Sequence, residues 1–247
     1  MEKIQRFTDF SVKVDPGELR RYLGYGRKKT PASELDGLMK EMSAEAEDLA
    51  RPAAIFSVFG AEEIPRETFL FSLCAEGERA RRGETKATKA PAREADAGAP
   101  EGHSPTRTTP HIALSICTIG LALEERVSEY SNAGELAKAL VLDSAGSTLA
   151  EAACDFANER ICAMAAEQSL HAAPRTSPGY GRWKVEEQET IFRLLPADSV
   201  GVSLTKSYMM VPRKSVSFAV RLSKEEPSGE SVSPCRRCGR KNCEFRR

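Results

Sequence analysis

The stretch His111-Ile112-Ala113-Leu114-Ser115-Ile116-Cys117-Thr118-Ile119-Gly120 sets the fold class. Ile112, Leu114 and Ile116 recur at every second position, the period that lines one face of a β-strand. Thr118-Ile119-Gly120 then turns the chain, and Leu121, Leu123 and Val127 continue at helical spacing. Beyond them Leu136, Leu140, Leu149, Phe156, Ile161 and Met164 mark a long apolar stripe between Ala133 and Gln168, with Gly146 as its expected break. A strand followed by long helices, rather than a regular strand and helix alternation, points to α+β.

Toward the N-terminus, Phe10, Val12 and Val14 alternate with polar residues and predict a half-buried strand. Asp15-Pro16 supplies an N-cap and a first-turn proline for a helix carrying Leu19, Tyr22 and Leu23. A second helix starts at Ser33 with Leu35, Leu38, Met39, Met42, Ala46 and Leu49 in period, and it must stop before Pro52. Ala53–Phe59 and Thr68–Cys74, rich in aromatic and aliphatic residues, predict two short strands. Toward the C-terminus, Val185–Leu195 places Val185, Gln188, Ile191, Phe192 and Leu195 on one helical face. Val200–Met210 and Ser215–Leu222 predict a hairpin closed around Pro212-Arg213-Lys214.

Residues 75–110 contain no Val, Ile, Leu, Met, Phe, Tyr, Trp or Cys and cannot offset the entropy of ordering, so a disordered linker or insertion is expected there. The chain accordingly divides into an N-terminal strand and helix region (1–74) packing on the main domain, that linker, a main region (111–223) and a cysteine-rich tail (224–247). With 36 Lys plus Arg against 36 Asp plus Glu in 247 residues, net charge indicates neither nucleic acid nor membrane as a partner. No run approaches the roughly 18–20 apolar residues of a membrane span, and the first residues lead into no apolar signal core, which makes the cytoplasm the expected compartment.

The chain has seven cysteines. Cys74, Cys117, Cys154 and Cys162 are scattered among apolar residues and read as reduced, buried small hydrophobes. Cys235, Cys238 and Cys243 form a C-x2-C-x4-C cluster that, with a further ligand, suits zinc or an iron–sulfur cluster. Arg236, Arg237, Arg240 and Lys241 favour thiolates there, so redox thiols and an unliganded tail stay open as alternatives. There is no Gly-rich phosphate loop, and the three histidines (His103, His111, His171) form no Ser-His-Asp pattern, which disfavours hydrolase and nucleotidyl-transfer chemistry.

The densest local signal is Arg175-Thr176-Ser177-Pro178-Gly179-Tyr180. Proline and glycine set a sharp turn that lets a ligand approach the backbone, and the adjacent arginine suits a carboxylate. By residue type alone, Arg175 equally suits a loop cap or a surface ion pair.

This Arg-x-x-Pro-Gly-Tyr, together with Gly201-Val202-Ser203-Leu204-Thr205-Lys206-Ser207-Tyr208-Met209-Met210-Val211-Pro212-Arg213-Lys214-Ser215-Val216-Ser217, resembles the S-adenosylmethionine-binding activation domain of vitamin B12-dependent methionine synthase. Leu149-Ala150-Glu151-Ala152 resembles a segment of that family's ligand-binding helix. The resemblance spans roughly 112–222 and implies helices packed around a twisted antiparallel sheet. It implies further that Arg175 binds the methionyl carboxylate, that Ser177, Pro178 and Gly179 contact the ligand through their backbone turn, and that Tyr180 shapes the pocket. Glu151 would face the ligand's amino or cationic portion, a solvated helix face being the alternative. Met209 and Pro212 read as structural. The family's N-terminal ligand-contacting aspartate and the tyrosine after Ser-Val-Ser have no evident counterpart, and Phe218 replaces the glycine that usually follows Ser-Val-Ser. No Asp-x-His-x-x-Gly corrinoid loop occurs. The implied role is therefore an accessory subunit acting in trans, in which S-adenosylmethionine and an electron donor return inactive cob(II)alamin on a partner methyltransferase to methylcobalamin. The competing class is a non-catalytic metal-binding or redox module that recruits a partner through Cys235, Cys238 and Cys243.

Overall fold

The computed structural model describes residues 4–25, 33–74 and 111–224. Strands β1 (Ile4–Phe7), β2 (Ala53–Gly60), β3 (His111–Thr118), β4 (His171–Ala172) and β7 (Ser215–Ser223) form an antiparallel sheet in the order β1-β2-β3-β7-β4. β5 (Ser203–Leu204) and β6 (Met210–Val211) pair only with each other. The fold is α+β, as the sequence pattern implied.

The opening stretch becomes β3, but both of its faces are covered. Its alternation is large against small rather than apolar against polar. Ile112, Leu114 and Ile116 enter one core with Ile55, Phe59 and Trp183. Ala113 and Cys117 enter the other, and Ser115 between them is buried with its hydroxyl donating to Ile55 O at 3.0 Å. Small side chains on this face admit α5 (Leu136–Glu167), whose buried Ala145, Gly146, Ala150, Ala153, Cys154 and Ala157 are equally small. Close packing of small residues brings helix and sheet backbones near each other.

Beside α5 on this face lie α1 (Pro16–Tyr22), α2 (Ser33–Leu49) and α4 (Ala122–Asn132), contributing Leu19, Met39, Met42 and Leu123 to the core. The opposite face carries α3 (residues 69–74), α6 (Gln188–Leu194) and 3-10 turns at Val185–Glu187 and Ala197–Val200. α1 starts where expected: Asp15 Oδ1 accepts from the N–H groups of Gly17 and Glu18 at 2.7 and 3.0 Å.

Four expectations about secondary structure need correction. Residues 10–14 are not a strand, because β1 takes the ladder on β2. Val12 and Val14 are buried nonetheless, Phe10 stacks on Phe156 at 4.0 Å, and Val14 N donates to Glu47 Oε1 at 2.9 Å. A period of two thus arose from side-chain burial without strand pairing. Residues 69–74 are helical rather than extended. Thr68 Oγ1 accepts from Phe71 N at 3.4 Å at the helix start, and Leu70 and Cys74, four apart, are both fully buried. Gly146 does not break α5; a Cβ there would stand 2.7 Å from Leu123 Cδ2, so the glycine admits α4. Finally, Val200–Met210 makes no hairpin with β7. It folds into the 3-10 turn and the small β5–β6 pair, while β7 lies between β3 and β4.

Of the four scattered cysteines, Cys74, Cys117 and Cys154 are buried as expected, whereas Cys162 is exposed on α5. Cys235, Cys238 and Cys243 and the linker at 75–110 lie outside the described residues. Among the described residues no helix is long and apolar enough to cross a membrane, and no cluster of His, Cys, Asp or Glu could hold a metal.

Candidate functional site

Arg175 owes its position to an irregularity at the sheet edge. Ala172 pairs with Leu222, yet Thr176 pairs with Ala219, exchanging hydrogen bonds of 3.0 and 2.8 Å. The edge segment therefore spends one residue more than β7 over the same span, which is a bulge. Pro174, without an N–H to offer a ladder, suits the interruption. At this bulge Arg175 turns onto the α5 face, its guanidinium carbon 5.8 Å from the centroid of the Phe218 ring. Phe218 thus forms the floor under the arginine.

Glu151 and Asp155, one helical turn apart on α5, meet Arg175 there. Nη2 donates to Glu151 Oε2 at 2.7 Å. Nη1 lies 3.0 Å from Asp155 Oδ1, but the contact is an ion pair by distance only: the buried Nη1 has no hydrogen-bond acceptor among the described residues. The side chains of Arg175, Glu151 and Asp155 are 23%, 34% and 66% exposed, so the pair with Glu151 is the sheltered one. Just behind, Cys154 and Cys117 are hydrogen-bonded to each other, and this bond together with burial pushes the Cys154 thiol well above its usual range. Cys154 is therefore a neutral core thiol.

The next residues form two successive turns. Tyr180 N donates to Ser177 O at 3.2 Å, with Pro178 and Gly179 at the central positions and Gly179 at φ +89°, the arrangement of a type II turn. Trp183 N donates to Tyr180 O at 3.1 Å and Gly179 N to Trp183 O at 2.8 Å, so the Gly179 N–H is already committed within the loop. Trp183 is fully buried on the far side of the sheet against Phe69, with ring centroids 5.7 Å apart, and Phe69 N donates to Glu187 Oε2 at 2.6 Å. The loop thus wraps the sheet edge, anchored on one face by Trp183 and presenting Arg175 on the other. Tyr180, at the outer corner, is 70% exposed.

The second motif is tied to the same strand. Gln188, buried in α6, donates to Tyr208 O, and its Oε1 accepts from Ser217 Oγ at 3.2 Å. Ser215 Oγ donates to Thr118 Oγ1 at 2.8 Å, while Lys214 Nζ reaches Asp143 at 2.8 Å and Ser147 at 2.9 Å. β7 therefore holds Gln188 through Ser217, carries Phe218 under Arg175 and bonds Thr176 through Ala219. Pro212 is buried, but Met209 is 52% exposed and is not a core residue.

The structure brings Glu151 and Arg175 together, with Ser177, Pro178 and Gly179 in the adjoining turn and Tyr180 at its rim. Asp155 and Gln188 were not singled out as site residues. Asp155 stands four residues after Glu151, the spacing that shares a helix face, and that signal was available. Nothing local in the sequence marks Gln188 as the bridge between two motifs.

Residues 42–228 match the family described as vitamin B12 dependent methionine synthase, activation domain. The chain belongs to this family. The match starts within α2, well before the motifs that suggested the resemblance, and takes in β2, the strand next to β3. The activation-domain fold is seen directly in a solved structure, the MetH reactivation domain bound to AdoHcy, which superposes with a TM-score of 0.55 at 16% sequence identity. The superposition covers 94% of this chain and 81% of that one. No curated protein matches the sequence.

Proposed function

We propose that this activation-domain protein binds S-adenosylmethionine between α5 and the Arg175–Tyr180 loop. In the cytoplasm it would support, as an accessory subunit, the reductive methylation of cob(II)alamin held by a partner methyltransferase. The observation that carries this reading is the guanidinium of Arg175, set at a bulge beside a type II turn, facing two acids and retaining a buried N–H without an acceptor among the described residues. An amino acid zwitterion needs a carboxylate-binding fork and an acid for its ammonium, and these side chains supply both. The membership in the activation-domain family supports the same ligand class.

In this mechanism Arg175 takes the ligand carboxylate, and Glu151 takes the ammonium. The Ser177-Pro178-Gly179 turn forms a wall, where the Gly179 carbonyl rather than its N–H is left for a ligand. Tyr180 closes the rim. S-adenosylmethionine supplies a sulfonium-activated methyl group, the partner brings cobalamin, and an electron donor brings the electron. The chain's own part is binding, orientation and exclusion of water, so no general acid or base is needed.

Isothermal titration of the full chain with S-adenosylmethionine tests the binding step. Saturable binding by the wild type, with a loss of at least about tenfold in Arg175→Ala, is expected from removal of a charge-assisted pair. Absence of binding, or equal affinity in Arg175→Ala, removes the proposal. The complete function is read as methylcobalamin formed on a partner from cob(II)alamin, S-adenosylmethionine and a reductant.

A further inference from the structure

The geometry points to Asp155 as a residue that selects the charged methyl donor over its demethylated product, by changing partners when ligand binds. This inference rests on the S-adenosylmethionine reading and adds a specificity determinant to it. Two carboxylates face one guanidinium, so Glu151, Asp155 and Arg175 together carry one unit of negative charge. The two acids are not equivalent. Glu151 makes a directed hydrogen bond to Nη2, whereas Asp155 is largely exposed and neutralises Nη1 without bonding its N–H.

A ligand carboxylate that engages Nη1 therefore meets its least resistance at Asp155, whose exposed side chain can rotate away without disturbing the core. The released carboxylate keeps its charge one helical turn from Glu151. Glu151 answers the ligand's ammonium, and Asp155 is left to be answered by a second cation. S-adenosylmethionine has one, a sulfonium only two methylenes beyond the α-carbon that bears the ammonium and carboxylate. S-adenosylhomocysteine is a neutral thioether at that point and leaves the acid unanswered. The same exchange favours release of the product after methyl transfer.

Titration of the full-length wild type and Asp155→Asn with S-adenosylmethionine, S-adenosylhomocysteine and sinefungin separates the contributions. Sinefungin carries an amine near the sulfonium position and so reports charge without a transferable methyl. A single charge about 4–5 Å away at an exposed site is worth roughly three- to tenfold in affinity. The preference of the wild type for S-adenosylmethionine and sinefungin over S-adenosylhomocysteine is expected to fall by about that factor in Asp155→Asn, and to persist in Asp155→Glu. Raising the salt concentration should shrink the wild-type preference and leave that of Asp155→Asn nearly constant. If Asp155→Asn changes affinity for all three ligands in the same proportion, Asp155 has no selective role and the inference is wrong. A wild type that binds none of them refutes the underlying S-adenosylmethionine reading instead.

Discussion

Gln188→Ala is the perturbation whose cost the structure defines most completely. The side chain is buried, donates to Tyr208 O and accepts from Ser217 Oγ. Its removal leaves the buried Ser217 hydroxyl without that partner, at about 1–3 kcal/mol, and the part-buried Tyr208 carbonyl, which water can partly reach, at about 1 kcal/mol. The lost Cγ methylene adds roughly 1 kcal/mol. Tyr208 adopts φ +60°, a strained region for a residue with a Cβ, and loses the bond that helps hold it there. A total of about 3–5 kcal/mol follows, equivalent to a fall in Tm of roughly 10 °C for a chain of this size. Urea unfolding followed by the fluorescence of Trp183, the single tryptophan, reads this directly because that residue is buried beside α6. Ser217→Ala should cost only about 1 kcal/mol. In the double variant the two losses should not add, since one hydrogen bond is shared. A loss below about 1 kcal/mol in Gln188→Ala, or strict additivity, would show that Gln188 does not bridge the β5–β6 pair to β7 in solution.

Gly146→Ala gains about 1 kcal/mol of helix propensity, but its methyl would stand 2.7 Å from the fully buried Leu123. A net loss of about 1 kcal/mol by thermal denaturation is expected, and a gain would mean that α4 gives way. In native alkylation Cys162 should react ahead of Cys74, Cys117 and Cys154, which become accessible on unfolding, as mass spectrometry of the peptides would show. Burial pushes the Cys74 thiol up to about 11 from an ordinary 9.0, so the folded state holds its proton longer than the unfolded state. That contribution is complete below pH 9.0 and is lost as pH rises through about 11. Urea titrations should show stability falling over this interval, with a smaller pH-linked loss in Cys74→Ala than in the wild type.

The candidate site was legible where chemistry follows from residue type at short range. Pro178-Gly179 predicted a sharp turn, and Arg175 beside it suited a carboxylate, a loop cap or a surface ion pair. The partner that the structure supplies lies 24 residues away on α5, and no periodicity within either segment pairs the two. The bulge that aims Arg175 was hidden for the same reason: it exists only as a mismatch between two strands, one of which begins beyond residue 214.

The sequence by itself determined the long helices, the central strands and the start of α1, because each depends on periods or caps contained within a few turns of chain. It also marked the hydrophobic pattern of residues 10–14 and 68–74 while assigning both to strands. Only the tertiary structure decided between strand, coil and helix there, since a period of two in burial requires a neighbour, whereas a strand requires backbone partners, and β1 had taken them on β2. It likewise decided that β3 is buried on both faces, because Ala113, Ser115 and Cys117 are small enough for α5 to pack over them. The pairing of Glu151 and Asp155 with Arg175 came last, from helix, bulge and Phe218 floor converging at the sheet edge.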